Sequence, residues 1–163
     1  MTIGPVQMLV LGFAEPEFTG KIAAEIDRLR AHEFVRILDA LVVNKDEAGD
    51  ITAVQASDLT TDEAMELGAL AGALIGLGEG DAESGAVAGA LEGADGHVIP
   101  DEELWYVADT IPAGSAAAVL LIEHLWAIPL RDAIVDAGGI ALSDEWIHPA
   151  DLVAAGLEGA LEA

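Results

Sequence analysis

Short apolar runs alternate along this chain with segments in which apolar residues recur every three or four positions, so strands and helices are predicted in turn. Residues 6–13 (VQMLVLGF) are an apolar run stopped by Gly12 and Pro16, as in a buried strand. Residues 20–32 follow helical spacing, with Ile22, Ile26 and Leu29 on one face and Thr19 placed to cap the start. Residues 34–43 (FVRILDALVV) return to strand composition, NKDEAGD supplies turn residues, and residues 51–56 (ITAVQA) alternate. A hairpin is predicted there.

Thr60 or Thr61 with Asp62 and Glu63 reads as an acidic helix start, and a Gly/Ala-rich segment follows. GEGDAES interrupts it at 78–84, a second glycine-bearing helix runs over about 84–93, and Pro100 opens a short helix over 102–110 with Trp105 as its large apolar anchor. After the loop PAGS, residues 116–122 (AAAVLLI) are uninterruptedly apolar, which predicts a central strand covered on both faces. A helix over 129–137 closed by Gly138 and Gly139, a last strand over 140–147, and a helix from Pro149 to Leu161 complete the series. The expected fold is α+β, a ferredoxin-like sandwich of two βαβ-like halves in a single domain (1–163), with an inserted glycine-rich helical hairpin (61–95) and a C-terminal helix.

The hairpin carries the most distinctive pattern. Gly68, Gly72, Gly76 and Gly80 recur at intervals of four, and Gly85, Gly89 and Gly93 do so again. Glycine inside a helix costs about 1 kcal/mol relative to alanine. Repeating it at helical spacing therefore points to close backbone approach along a face without side chains. Gly68, Gly72, Gly76, Gly85, Gly89 and Gly93 are the predicted helix-contact residues, within a subunit or between subunits.

Charge removes several classes of function. The formal net charge is −24, and residues 1–45 hold five basic against six acidic side chains, leaving about −23 beyond them with Arg131 as the sole cation. Such a surface repels nucleic acid and anionic membranes. It also hydrates the molecule, as in salt-adapted proteins. With no cysteine there is no disulfide, thiolate catalysis or Cys-ligated metal. The N-terminus lacks the basic region and cleavage site of a signal peptide, and the longest apolar glycine-rich run, 67–78, falls well short of the ~20 residues that span a bilayer. A cytoplasmic location is expected.

Catalytic signatures are weak. The histidines His32, His97, His124 and His148 show no paired ligand spacing, and His124 beside Glu123 is the one polar pair of interest. NKDEAGD superficially resembles a calcium loop through Asn44, Asp46 and Asp50, but its twelfth position is Gln55, so a turn is the better reading. Asp101, Glu102 and Glu103 suit a helix N-terminus. Ser84, Ser115 and Ser143 lack a nucleophile-elbow setting, and no lysine follows residue 45 to complete a phosphate loop. No catalytic, cofactor or metal residue is assigned.

GPVQMLVLGF, the apolar strand before NKDEAGD, ELGALAGALIGLG and IPAGSAAAVLLIEHLW together resemble the uncharacterised actinobacterial and archaeal families DUF6325 and DUF1269 over most of the chain. The resemblance implies no established reaction, and some members of those families are labelled membrane proteins for their glycine-rich hairpin. The leading expectation is a non-enzymatic protein that self-associates as a homo-oligomer through this glycine-zipper hairpin. The alternatives are a membrane-associated stress or envelope protein that inserts the hairpin as a wedge, and a small-molecule or metal-binding enzyme using Glu123 and His124 on the sheet face.

Overall fold

The computed structural model describes residues 3–140 and 142. The chain divides into two compact units, Met1–Leu130 and Arg131–Ala163. The first is α+β: β1 (Val6–Phe13), α1 (Lys21–Ala31), β2 (Val35–Lys45), β3 (Ile51–Ala56), α2 (Thr61–Glu79), α3 (Ala82–Glu92), a 3-10 turn (Gly93–Asp95), α4 (Asp101–Thr110) and β4 (Ser115–His124). A fifth helix, α5 (Ala127–Asp136), starts in the first unit and ends in the second, where left-handed Gly138 lets its N–H reach the Val135 carbonyl at 2.8 Å. The strand expected over 140–147, apart from Ile140 and Leu142, and the C-terminal helix lie outside the described residues.

The four strands form one antiparallel sheet in the order β1-β4-β2-β3. β4 is central as its composition predicts: Ser115 to Leu120 are all buried, so both faces are covered, while Leu121 and Ile122 are half-buried. The β2–β3 hairpin closes through Asp46 and Asp50, with Gly49 at φ 92° donating to the Asp46 carbonyl at 3.0 Å. Within NKDEAGD, residues 46–50 are therefore a turn, while Asn44 and Lys45 belong to β2.

A bulge between Ile37 and Asp39 shifts the β2 register by one residue. It places Arg36, Asp39, Leu41 and Val43 on one face of the sheet. The core lies on this face, where Leu41, Val43, Ala117 and Val119 pack against Ile99 and against Val107 and Ala108 of α4. On the opposite face α1 lies over Ile37, Ala40 and Ala56 with a groove of about 180 Å³ between them. None of α1's residues is buried; Ile26 and Leu29 are half-covered and Ile22 is exposed.

Several expectations are corrected. A ferredoxin-like sheet centres its first and third strands and carries its helices on one face. Here β4 and β2 are central, and α1 and α4 lie on opposite faces. β1 is an edge strand, with Val6, Met8 and Val10 exposed, and not the buried strand its apolar run predicts. α1 is preceded by Gly20 in the left-handed conformation, and Thr19 does not cap it. Trp105 is 62% exposed; α4 is anchored by Leu104, Val107, Ala108 and Ile111, whose spacing of three and four places them on one stripe that Trp105 misses.

Candidate functional site

The glycine repeats form a seam between α2 and α3. α2 opens with a capping box: Thr60 Oγ1 accepts from the Glu63 N–H at 3.3 Å, and Glu63 Oε2 accepts from the Thr60 N–H at 2.9 Å. It ends on left-handed Gly80, and Asp81 caps α3 by accepting from the Ser84 N–H at 3.0 Å. The predicted interruption thus narrows to two residues, Gly80 and Asp81, and the helices run back against each other.

Along that seam the backbones meet directly. A methyl group on Gly72 would sit 2.9 Å from the Gly85 carbonyl carbon and 3.1 Å from the Gly89 nitrogen. One on Gly89 would sit 2.7 Å from the Gly68 carbonyl carbon, and one on Gly85 3.1 Å from the Gly76 Cα. Gly68 faces Gly89 in return, Gly76 faces Asp81 and Ala82, and Gly93 faces Ala64 and Met65. All six predicted contact glycines therefore meet atoms of their own chain. The opposite side of each helix exposes large apolar residues beside acidic ones: Leu70 and Leu77 with Glu66 on α2, and Val87 and Leu91 with Glu83 on α3.

Two buried charge clusters hold the sheet to its surroundings, and neither was marked by a sequence motif. Glu123 of β4, fully buried, accepts from the Gly4 N–H at 2.6 Å and from Arg36 Nε at 2.9 Å. Arg36 also donates to Glu63 at 2.8 Å, so a chain of charges links β4 and β2 to the capping box of α2. Burial disfavours the Arg36 charge, but its bonds to Glu63 and Glu123 more than offset this and raise its pKa. The Thr60 N–H, the Arg36 guanidinium and the Thr60 hydroxyl hold the Glu63 carboxyl below the usual carboxylate range.

Asp39, at the β2 bulge and also fully buried, is the second cluster. It accepts from the N–H groups of Val98 (2.7 Å), Ile99 (2.8 Å) and Ala40 (2.9 Å) and from Gln55 Nε2 (3.0 Å), and lies 3.2 Å from His97 Nδ1. Its carboxylate fastens the segment that enters α4 onto the core face. The available signal was a carboxylate inside an apolar strand, because a buried charge requires donors around it.

Glu123 and His124 do not form a joint site. As neighbours in one strand they point to opposite faces: Glu123 toward Arg36, and His124 toward Gln7 Oε1 (3.1 Å) and Trp126 Nε1 (3.3 Å). Among the described residues no three His, Asp or Glu side chains are grouped to hold a metal ion, and no helix is long and apolar enough to cross a membrane. Asp101, Glu102 and Glu103 occupy the first turn of α4, complementing its dipole. No protein-family model, curated protein or solved structure matches the chain.

Proposed function

We propose that this chain is a non-enzymatic protein that self-associates, and that the outer sides of the α2–α3 hairpin are among its contact surfaces. The observation that supports this is the two-sided character of the hairpin. Its glycines are spent on the internal seam, yet Leu70 with Leu77, two turns apart, and Val87 with Leu91, one turn apart, leave large apolar side chains exposed on each back. Solvent-facing helix surfaces are ordinarily polar, and contiguous exposed apolar surface marks contact sites. The buried polar groups, by contrast, are already hydrogen-bonded to the fold, which favours a structural reading over a catalytic one.

Static light scattering tests this reading. The wild type should be larger than its 16.7 kDa chain mass, and the assembled fraction should rise with NaCl as the like charges of −24 per chain are screened. Leu77→Glu with Leu91→Glu should lower the mass while the circular dichroism stays unchanged. A wild type at chain mass from 10 mM to 1 M salt would end the proposal, and flotation of the protein with liposomes would redirect it to a lipid surface.

A further inference from the structure

The β1 edge of the sheet, unpaired among the described residues, has the chemistry of an incomplete ladder. The His124 N–H donates to the Pro5 carbonyl at 2.9 Å, which makes Pro5 and His124 a hydrogen-bonded pair in the β1–β4 register. Antiparallel pairs alternate, so residues 7, 9, 11 and 13 also turn their backbone groups toward β4. Val6, Met8, Val10 and Gly12 then turn theirs outward, along an edge against which no other described strand lies.

Within β1 itself that edge carries none of the usual sequence protections. Sheet edges are kept from pairing by charged side chains, prolines, bulges or short length. β1 is eight residues long with no proline, no bulge in its register, and no ionisable side chain anywhere from residue 3 to residue 14. In a chain of net charge −24, a surface that meets its own copy must be nearly uncharged. The other edge, β3, is six residues long and follows a turn carrying Asp46, Glu47 and Asp50, so two copies meeting there would bring like charges together.

We infer that β1 pairs antiparallel with β1 of a second copy of this chain, joining two four-stranded sheets into one of eight strands about a two-fold axis. This rests on the self-association proposed above and assigns it a specific contact. The outward amides allow the register in which Met8 of one copy lies opposite Val10 of the other and Val6 opposite Gly12. Like pairing with like makes the contact self-complementary and closed. The exposed Val6, Met8 and Val10 side chains of the two copies then lie side by side across the seam on the same sheet face.

Met8→Pro tests the pairing directly, because it removes an outward N–H that the β1–β4 ladder does not use, and proline is tolerated at such edge positions. Val10→Lys is the second variant, placing a charge on the edge without altering the backbone. Both should halve the mass of the wild-type assembly in light scattering while circular dichroism is retained, and hydrogen-exchange protection should be lost at the amides of positions 8 and 10 in Val10→Lys and at the Val10 amide in Met8→Pro. An oligomeric wild type whose mass is the same in Met8→Pro and Val10→Lys overturns the β1 contact and leaves self-association standing. A wild type at chain mass overturns both. Should Met8→Pro fail to fold, Val10→Lys alone decides.

Discussion

Replacing single glycines of α2 by alanine should change stability in opposite directions depending on which side of the helix is touched. Gly72 and Gly78 lie in the same helix, and both have ordinary negative φ. Alanine at either gains roughly 0.5–1 kcal/mol of helix propensity. At Gly78 nothing lies within 4 Å of the added methyl group, so that gain should appear as stabilisation. At Gly72 the methyl would stand 2.9 Å from the Gly85 carbonyl carbon and 3.1 Å from the Gly89 nitrogen, both backbone atoms that can retreat only with their helix. Overpacking against movable side chains costs about 1–3 kcal/mol. Against a backbone the upper part of that range applies, and parting the helices also weakens dispersion contacts along the seam. The net expectation is a loss of about 1–2 kcal/mol for Gly72→Ala. Urea unfolding followed by circular dichroism at 222 nm measures both variants in one series. If Gly72→Ala is as stable as Gly78→Ala, the close seam does not exist in solution, and close backbone approach is not what the glycine repeat provides.

Four further outcomes follow from the buried charges and the cap. Asp39→Ala leaves the Val98 and Ile99 N–H groups without their acceptor and should cost about 3 kcal/mol or more in chemical unfolding; a loss below 1 kcal/mol would show that water replaces the carboxylate. Arg36→Met should cost about 3–5 kcal/mol by stranding buried Glu123, and Arg36→Met with Glu123→Met should recover most of it, whereas additive losses would refute the pairing argument. Thr60→Ala should cost about 1 kcal/mol through the lost cap. Because the folded Glu63 carboxyl has a lowered pKa, its contribution is present above the unfolded carboxylate value of about 4.3 and is lost as the pH falls through the folded value. The melting temperature of Glu63→Gln should accordingly fall less than that of the wild type between pH 5 and pH 3, and equal falls would show that the Thr60 and Arg36 bonds contribute nothing.

Local signals in the sequence carried the series of elements and much of the hairpin. Periodicity separated 20–32 as a helix from 34–43 as a strand, Thr60 or Thr61 with Asp62 and Glu63 announced a helix start, though not the capping box that Thr60 and Glu63 form, and glycines every fourth residue announced close helix contact, because each of these depends on neighbours within a few positions. The unbroken apolar run of β4 predicted cover on both faces, which Ser115 to Leu120 have. Composition could not distinguish β1 from β4, since both read as apolar strands; which of them lies at the edge depends on what docks beside it. The faces taken by α1 and α4, and the strand order, likewise depend on crossovers that no local window contains. The same limit applied to the chemistry. Glu123 and His124 are adjacent in sequence and opposed in space, whereas Arg36, Glu63 and Glu123 are distant in sequence and bonded in space. A bulge of one residue at Leu38 decides that Arg36 shares the core face with Asp39, and only the paired sheet defines that bulge. Sequence spacing likewise showed that the glycines seek a backbone at close range, and the folded chain determined that this backbone is its own.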